Sequence, residues 1–191
     1  MYRLFLIMGI LSFMFGCKNE PKKETIEVDG KKINATTSTE NNYEYSLADL
    51  TKEQTNFIAD KTARAKVFIK KYHPAPASVS FDSKLLDEVL LTWANSHSAD
   101  KESAEEVIDI IGAAFGQGLV NELNCEWKQL TDEYGTDMTV IHKKYMVNSF
   151  PFSSVEKVVT EDNPRSLDEI KLILKSQILD AENGGDIQER K

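Results

Sequence analysis

Three carboxylates lie within the six residues Asp132-Glu133-Tyr134-Gly135-Thr136-Asp137, and His142 follows five residues after the last of them. Carboxylate oxygens bind hard cations, and a carboxylate with a raised pKa acts as a general acid or base. An imidazole brought beside Asp132 or Asp137 by a hairpin would complete a hydrolytic site, so Asp132, Asp137 and His142 are the catalytic candidates. The alternative, which we favour, is a solvated acidic turn in which Gly135 takes a positive φ.

Metal and cofactor motifs are absent from the sequence. His73, His97 and His142 stand far apart, and none is part of a His-x-x-x-His or His-Glu-x-x-His motif. The glycines of Gly112-x-x-x-Gly116-x-Gly118 follow a segment with helical periodicity, whereas a dinucleotide-binding loop follows a strand. We therefore expect no metal and no cofactor, and we expect these glycines to allow close packing against a helix.

The first seventeen residues resemble a bacterial lipoprotein export signal. Arg3 precedes the apolar run Leu4 to Phe15, which ends at Gly16-Cys17. As a helix the run is about 18 Å long, too short for a membrane core of roughly 30 Å, so a signal peptide is predicted over residues 1–16. Cys17 is then the lipid-attachment residue, although Met14 and Phe15 are not the usual lipobox residues. Acyl chains on Cys17 would anchor the protein to a membrane without spanning it.

The second cysteine, Cys125, has no partner within the chain if Cys17 is acylated. It lies in the alternating segment Cys125-Glu126-Trp127, without a His or a cluster of basic residues nearby. We expect a buried, unreactive thiol.

Composition divides the rest of the chain into a tether, one domain and a tail. Residues 17–46 are polar and are predicted to be a flexible tether, with a weak or docked hairpin around Asp29-Gly30. Residues 47–182 are long enough for a single domain with its own core. Residues 183–191 are predicted to be a disordered tail.

Capping residues and apolar periodicity predict helices at both ends of the domain. The proposed helix starts are Thr51-Lys52-Glu53-Gln54, Asp82, Ser103-Ala104-Glu105-Glu106, Ser153-Ser154-Val155-Glu156 and Ser166-Leu167-Asp168-Glu169. Between them the pattern alternates at Cys125-x-Trp127, Met138-x-Val140 and Tyr145-x-Val147, which predicts a three-stranded antiparallel sheet. The fold class is α+β, with helices packed on this sheet.

Aromatic residues in this pattern are predicted to belong to the core. Trp93 and Trp127 fall on apolar faces, and Phe150-Pro151-Phe152 is predicted to be a strand-to-helix junction. An exposed aromatic ligand surface is the alternative for the junction.

The order of four motifs between Gly112 and Lys157 resembles a bacterial family called domain of unknown function 3806. The motifs are Gly112-Ala113-Ala114-Phe115-Gly116, Glu126-Trp127, Thr131 to Asp137, and Phe150-Pro151-Phe152-Ser153-Ser154-Val155-Glu156-Lys157. The resemblance implies one α+β domain. It implies no reaction, ligand or catalytic residue.

Charge limits the partners. The formal net charge is −8, and removal of the signal peptide with Arg3 makes it −9. An acidic chain without a basic stripe is a poor partner for nucleic acid. We expect a protein of the bacterial envelope that a lipid anchors to the inner or the outer membrane. Its domain is expected to be a non-catalytic binding module whose partner is a protein or another ligand. Toxin neutralisation is one subtype of this function. The alternative is an envelope hydrolase that uses Asp132 to Asp137 with His142.

Overall fold

The structure is a computed structural model that describes residues 22–28, 30–37, 45–73, 80–161, 164–185 and 187–190. The predicted signal peptide, residues 1–16, and the predicted lipid-attachment residue Cys17 lie outside the described residues. The elements in chain order are β1 (Lys22–Val28), β2 (Lys31–Thr37), β3 (Ser46–Ala48), α1 (Lys52–Tyr72), α2 (Ser83–Ala94), α3 (Ala104–Glu122), β4 (Cys125–Asp132), β5 (Gly135–His142), β6 (Asn148–Ser149), α4 (Pro151–Thr160) and α5 (Leu167–Glu182). None of these helices is long and apolar enough to cross a membrane.

Side-chain caps start four of the five helices where the sequence predicts them. Thr51 and Ser166 each form a capping box with the residue three positions later, Gln54 and Glu169 respectively. Asp82 and Ser103 cap the starts of α2 and α3. These contacts satisfy backbone N–H groups that have no partner within a helix.

The helix α4 starts earlier than predicted. Its first residue is Pro151, two residues before the proposed start at Ser153, and its N-cap residue Phe150 makes no side-chain cap. Proline suits the first helical position because its fixed φ is helical and its missing N–H is not needed there. The junction prediction holds, since the Phe152 ring lies 5.8 Å from that of Trp127.

The glycines of α3 allow the close packing that the sequence predicts. A Cβ on Gly112 would lie 2.5 Å from Cδ1 of Phe152, and one on Gly116 would lie 2.1 Å from Cζ2 of Trp127. Buried residues of α3 join those of α1, α2, α4 and α5 in one core, which includes Phe68, Leu86, Ile111, Phe115, Val155 and Leu174. The middle helix therefore positions Trp127 and the start of α4.

The predicted α+β class is confirmed, but the main sheet has four strands, where three were predicted. Its order is β3-β4-β5-β6, and all neighbours are antiparallel. The additional strand β3 begins at Ser46, the last residue of the predicted tether. The third predicted strand, Tyr145 to Val147, is wrong: β6 is Asn148–Ser149, and Tyr145 instead forms an isolated bridge with Glu189.

That bridge also orders part of the segment predicted as a disordered tail. The backbone N–H of Met146 donates to the carbonyl of Gln188, and the N–H of Arg190 donates to that of Lys144. The Arg190 guanidinium lies 2.7 Å from Oε1 of Glu126 on β4. These long-range partners are not visible in the local composition from which the tail was predicted.

The polar segment before the domain contains the predicted hairpin. The strands β1 and β2 pair antiparallel through a two-residue connection between Val28 and Lys31, and Gly30 takes a φ of +77°. Lys31 reaches Asp168, in the first turn of α5. The hairpin is thus docked on the domain.

Candidate functional site

The acidic turn lines a cleft against the start of α4. The register pairs Leu130 with Asp137 and Asp132 with Gly135, so these side chains share one face of the β4–β5 hairpin. Asp132 and Asp137 therefore occupy diagonal positions, which in such a ladder are about 7–8 Å apart, with a somewhat shorter Cβ–Cβ distance. The cleft has a volume of about 360 Å³ and is also lined by Phe150, Ser153, Ser154 and Lys157.

Local backbone contacts hold both carboxylates of this cleft. Asp132 accepts a hydrogen bond from the N–H of Tyr134, and Asp137 accepts one from that of Met138. Gly135 has a φ of +133°, as predicted for a solvated turn, and the Tyr134 side chain is 80% exposed. The positive φ of Gly135 is therefore as predicted, and each carboxylate accepts a local backbone hydrogen bond.

His142 is not part of this cleft. The register places it opposite Cys125, seven residues from Gly135, a distance of roughly 23 Å along the strand at about 3.3 Å per residue. Its Nδ1 accepts hydrogen bonds from the backbone N–H groups of Lys144 and Tyr145, and its ring stacks on that of Tyr145 at 5.1 Å. Burial lowers the pKa of His142. The structure brings Asp132 and Asp137 together and leaves the imidazole at the other end of the hairpin.

The second cysteine and the other two histidines lie outside this cleft. The thiol of Cys125 is free and buried, and burial raises its pKa to about 12. His97 is exposed and His73 ends α1, 3.4 Å from a Glu88 oxygen. Within the described part of the chain, no three His, Cys, Asp or Glu side chains form a group that could hold a metal ion.

A larger groove lies between α1, α3 and the edge of β4. We call it the Trp127 groove. Its volume is about 550 Å³, within the range of small-molecule sites. Its walls are formed by Asp49, Leu50, Thr55, Ile58, Ala59, Thr62, Ala63, Lys66, Gln117 and Trp127. Strand pairing explains its floor, because β3 ends at Ala48 and leaves the Trp127 end of β4 beyond the last paired residue, Gln129.

Two residues that line this groove each carry a buried hydrogen-bonding atom without a partner. Neither Nε1 of Trp127 nor Oγ1 of Thr62 has a hydrogen-bond partner among the described residues, and both are shielded from solvent. The other tryptophan provides the contrast, since Nε1 of Trp93 donates to the Glu102 carbonyl at 3.1 Å. Leaving a buried donor unpaired costs about 1–3 kcal/mol. Such an atom needs a partner, which an ordered water, an ion or a ligand can supply.

Charges at the rim of the Trp127 groove are unequally balanced. Lys128 Nζ lies 2.6 Å from Oδ1 of Asp49, and this hydrogen bond lowers the pKa of Asp49. Lys66 is exposed and forms no ion pair within the described ranges. The groove therefore presents one uncompensated positive charge.

Sequence reasoning missed this groove. Its α1 wall has a detectable pattern, because Thr55, Ala59, Thr62, Ala63 and Lys66 recur at three- or four-residue spacing. The four small residues before Lys66 leave space on this face of the helix. The position of Trp127 above it depends on strand register, which no local pattern of α1 reveals.

Comparisons with known proteins identify a domain but no activity. A crystal structure at 1.50 Å resolution from Bacteroides thetaiotaomicron is similar in fold, with a TM-score of 0.51 and 13% sequence identity over 83% of this chain and 69% of that one. No curated protein matches the chain. The family model of DUF3806, a domain of unknown function, matches residues 87–170, from within α2 to the start of α5. Residues 87–170 of this chain are thus similar to the DUF3806 family.

Proposed function

We propose that the protein is a lipid-anchored protein of the bacterial envelope whose domain is a non-catalytic binding module. The observation that carries the binding function is the Trp127 groove, in which Trp127 and Thr62 keep buried hydrogen-bonding atoms unpaired. A ligand that enters such a site can supply the missing hydrogen bonds. Toxin neutralisation by an immunity-type protein is one subtype of this function.

The proposed anchor is an acylated Cys17, which follows the apolar run Leu4 to Phe15. Acyl chains would hold the mature protein on a membrane through their buried methylenes. The acidic charge favours a protein or small-molecule partner over nucleic acid. The docked β1–β2 hairpin would shorten the polar tether and keep the domain close to the bilayer.

A hydrolase remains the competing function, and the geometry supports it less well. Asp132 and Asp137 share a cleft, but His142 is buried at the opposite end of the hairpin with Nδ1 already accepting two backbone hydrogen bonds. A general base must come within hydrogen-bond reach of the proton that it removes. Hydrolysis of an envelope substrate that is lost in Asp132→Asn and Asp137→Asn would favour this function over binding.

Two measurements test the proposal separately. Labelled palmitate should be incorporated into the wild-type chain and not into Cys17→Ser, and equal labelling of both would overturn the anchor. For binding, the intact chain is immobilised and titrated with extract from its own envelope. Ala59→Trp fills the groove, whereas Ala94→Trp adds the same side chain at an exposed site on α2. Saturable retention that is lost only in Ala59→Trp supports the module, and equal retention by both variants contradicts it.

A further inference from the structure

We infer that the Trp127 groove binds a small molecule with an apolar body and a carboxylate head. This inference rests on the proposed binding function and specifies its ligand. Three features of the groove support it: the hydrogen-bonding capacity of the unpaired atoms, the charge at the rim and the size of the lining side chains.

The unpaired indole N–H of Trp127 requires an acceptor. An indole N–H only donates, and the hydroxyl of Thr62 donates whenever the ligand atom is a carboxylate oxygen. A carboxylate supplies two acceptor oxygens for donors of this kind. Since both protein atoms are shielded from solvent in the free groove, a small outward shift of the side chains above them accompanies binding.

The charges of the groove favour an anion. Lys66 supplies a cation without a carboxylate partner among the described residues. The single acidic residue in the described lining, Asp49, is paired with Lys128 at 2.6 Å. Charge-assisted hydrogen bonds to a carboxylate are stronger than neutral ones. An amine of the same shape would lose these contacts and be repelled by Lys66.

The remaining walls fit an apolar body. Leu50 and Ile58 contribute branched side chains, while Ala59 and Ala63 leave open space on the helix surface. Burial of ligand methylenes against these residues and the indole ring removes apolar surface from water. The volume of about 550 Å³ accommodates a short alkyl or aryl chain better than a folded protein segment.

Octanoate is a suitable probe, with octylamine as the matched ligand of opposite charge. Calorimetric titration uses the full chain with Cys17→Ser, so that no acyl group competes for the groove. Octanoate should bind saturably with one site per chain, and octylamine should not bind. Trp127→Phe, Thr62→Val and Lys66→Met should each weaken octanoate binding by about tenfold. Trp93→Phe and Lys70→Met, at positions outside the groove, should leave it unchanged.

A stability measurement separates ligand binding from a structural role. Thr62→Val removes a hydroxyl that has no partner, so its free energy of unfolding without ligand should equal or exceed that of the parent. A variant that is as stable as the parent and binds octanoate more weakly supports the inference.

Three results overturn it: no saturable octanoate binding, equal binding of octylamine, or equal losses in the groove variants and their controls. If envelope retention is still blocked by Ala59→Trp, only the ligand class fails. If Ala59→Trp and Ala94→Trp retain envelope components equally, the proposed function fails as well.

Discussion

Lys31 Nζ lies 2.6 Å from Oδ2 of Asp168, and this ion pair joins the β1–β2 hairpin to the first turn of α5. The Asp168 side chain is buried, and its other oxygen accepts a hydrogen bond from Ser83 at 2.9 Å. Burial raises the pKa of Asp168, but the hydrogen bonds from Lys31 and Ser83 outweigh burial and hold it below its usual value. The hairpin is thus joined to the domain by an ion pair between the exposed Lys31 and the buried Asp168.

Replacement of Lys31 by Met should release the hairpin. The variant leaves Asp168 buried with Ser83 as its side-chain donor, so docking loses its charged contact. Hydrogen exchange at the β1 and β2 amides should become faster than in the parent, while the amides of α3 keep their protection. Lys32→Met is the control, because Lys32 is the exposed neighbour of Lys31. Equal protection of β1 and β2 in both variants would show that the Lys31–Asp168 ion pair does not hold the hairpin on the domain.

The same ion pair predicts a pH window for docking. The folded pKa of Asp168 is depressed, so its contribution is complete above about pH 3.9 and is lost as the pH falls through the folded pKa. The folded pKa of Lys31 is raised by Asp168, so its contribution is complete below about pH 10.4 and is lost above that value. Exchange at β1 and β2 should therefore be slowest, relative to the intrinsic rate, between these limits. In Lys31→Met, exchange at β1 and β2 should no longer speed up as the pH falls through the folded pKa that Asp168 has in the parent.

Gly116→Ala should destabilise the domain although alanine is the better helix former. A Cβ at this position would lie 2.1 and 2.4 Å from Cζ2 and Cη2 of Trp127. Overpacking of this kind costs about 1–3 kcal/mol, against a helix propensity gain of about 1 kcal/mol. Urea unfolding should show a net loss of stability.

Trp127→Phe provides the matched test, because phenylalanine lacks the second ring that carries these two atoms. The double variant Gly116→Ala, Trp127→Phe should be more stable than the sum of the single effects predicts. Additive effects would mean that the ring does not fill this space.

The elements that local chemistry specifies could be predicted from the sequence. Thr51, Asp82, Ser103 and Ser166 cap helices because their side chains satisfy nearby backbone N–H groups. Gly135 takes its positive φ within the turn that contains it. Each of these features depends on a few neighbouring residues, so the sequence pattern carries the information.

Features that depend on distant partners could not be predicted in this way. Tyr145 alternates with Val147 like a strand, but its bridge partner is Glu189, near the end of the chain. His142 lies near the acidic turn in sequence, whereas the β4–β5 register places it beside Cys125. The Trp127 groove likewise requires β3 to end at Ala48. Register and tail docking are tertiary contacts, and local periodicity does not encode them.

His142 should make the domain sensitive to mild acid. Burial lowers its folded pKa, so the unfolded state binds a proton first, and stability falls as the pH decreases from about 6.5 towards the folded pKa. This group contributes at most about 1.4 kcal/mol per pH unit to the slope. Urea unfolding at pH 7.5 and pH 5.0 measures the loss.

His142→Asn removes the titration and keeps an acceptor for the N–H groups of Lys144 and Tyr145. The variant should therefore show a smaller loss of unfolding free energy between the two pH values. His97→Asn changes an exposed imidazole and should behave like the parent. An unchanged pH dependence in His142→Asn would show that this imidazole titrates normally.

Cys125 should resist thiol reagents until the domain unfolds. Cys17→Ser makes it the only cysteine, since the chain has two. Burial raises its pKa to about 12, which leaves about one thiolate in ten thousand at pH 8, and its Sγ contacts the Leu123 carbonyl at 3.4 Å. Reaction with an aromatic disulfide reagent at pH 8 should be far slower than that of glutathione, and it should reach one thiol per chain in denaturing urea. Rapid labelling of the folded chain would show that Cys125 is accessible and would reopen the question of a reactive thiol beside His142.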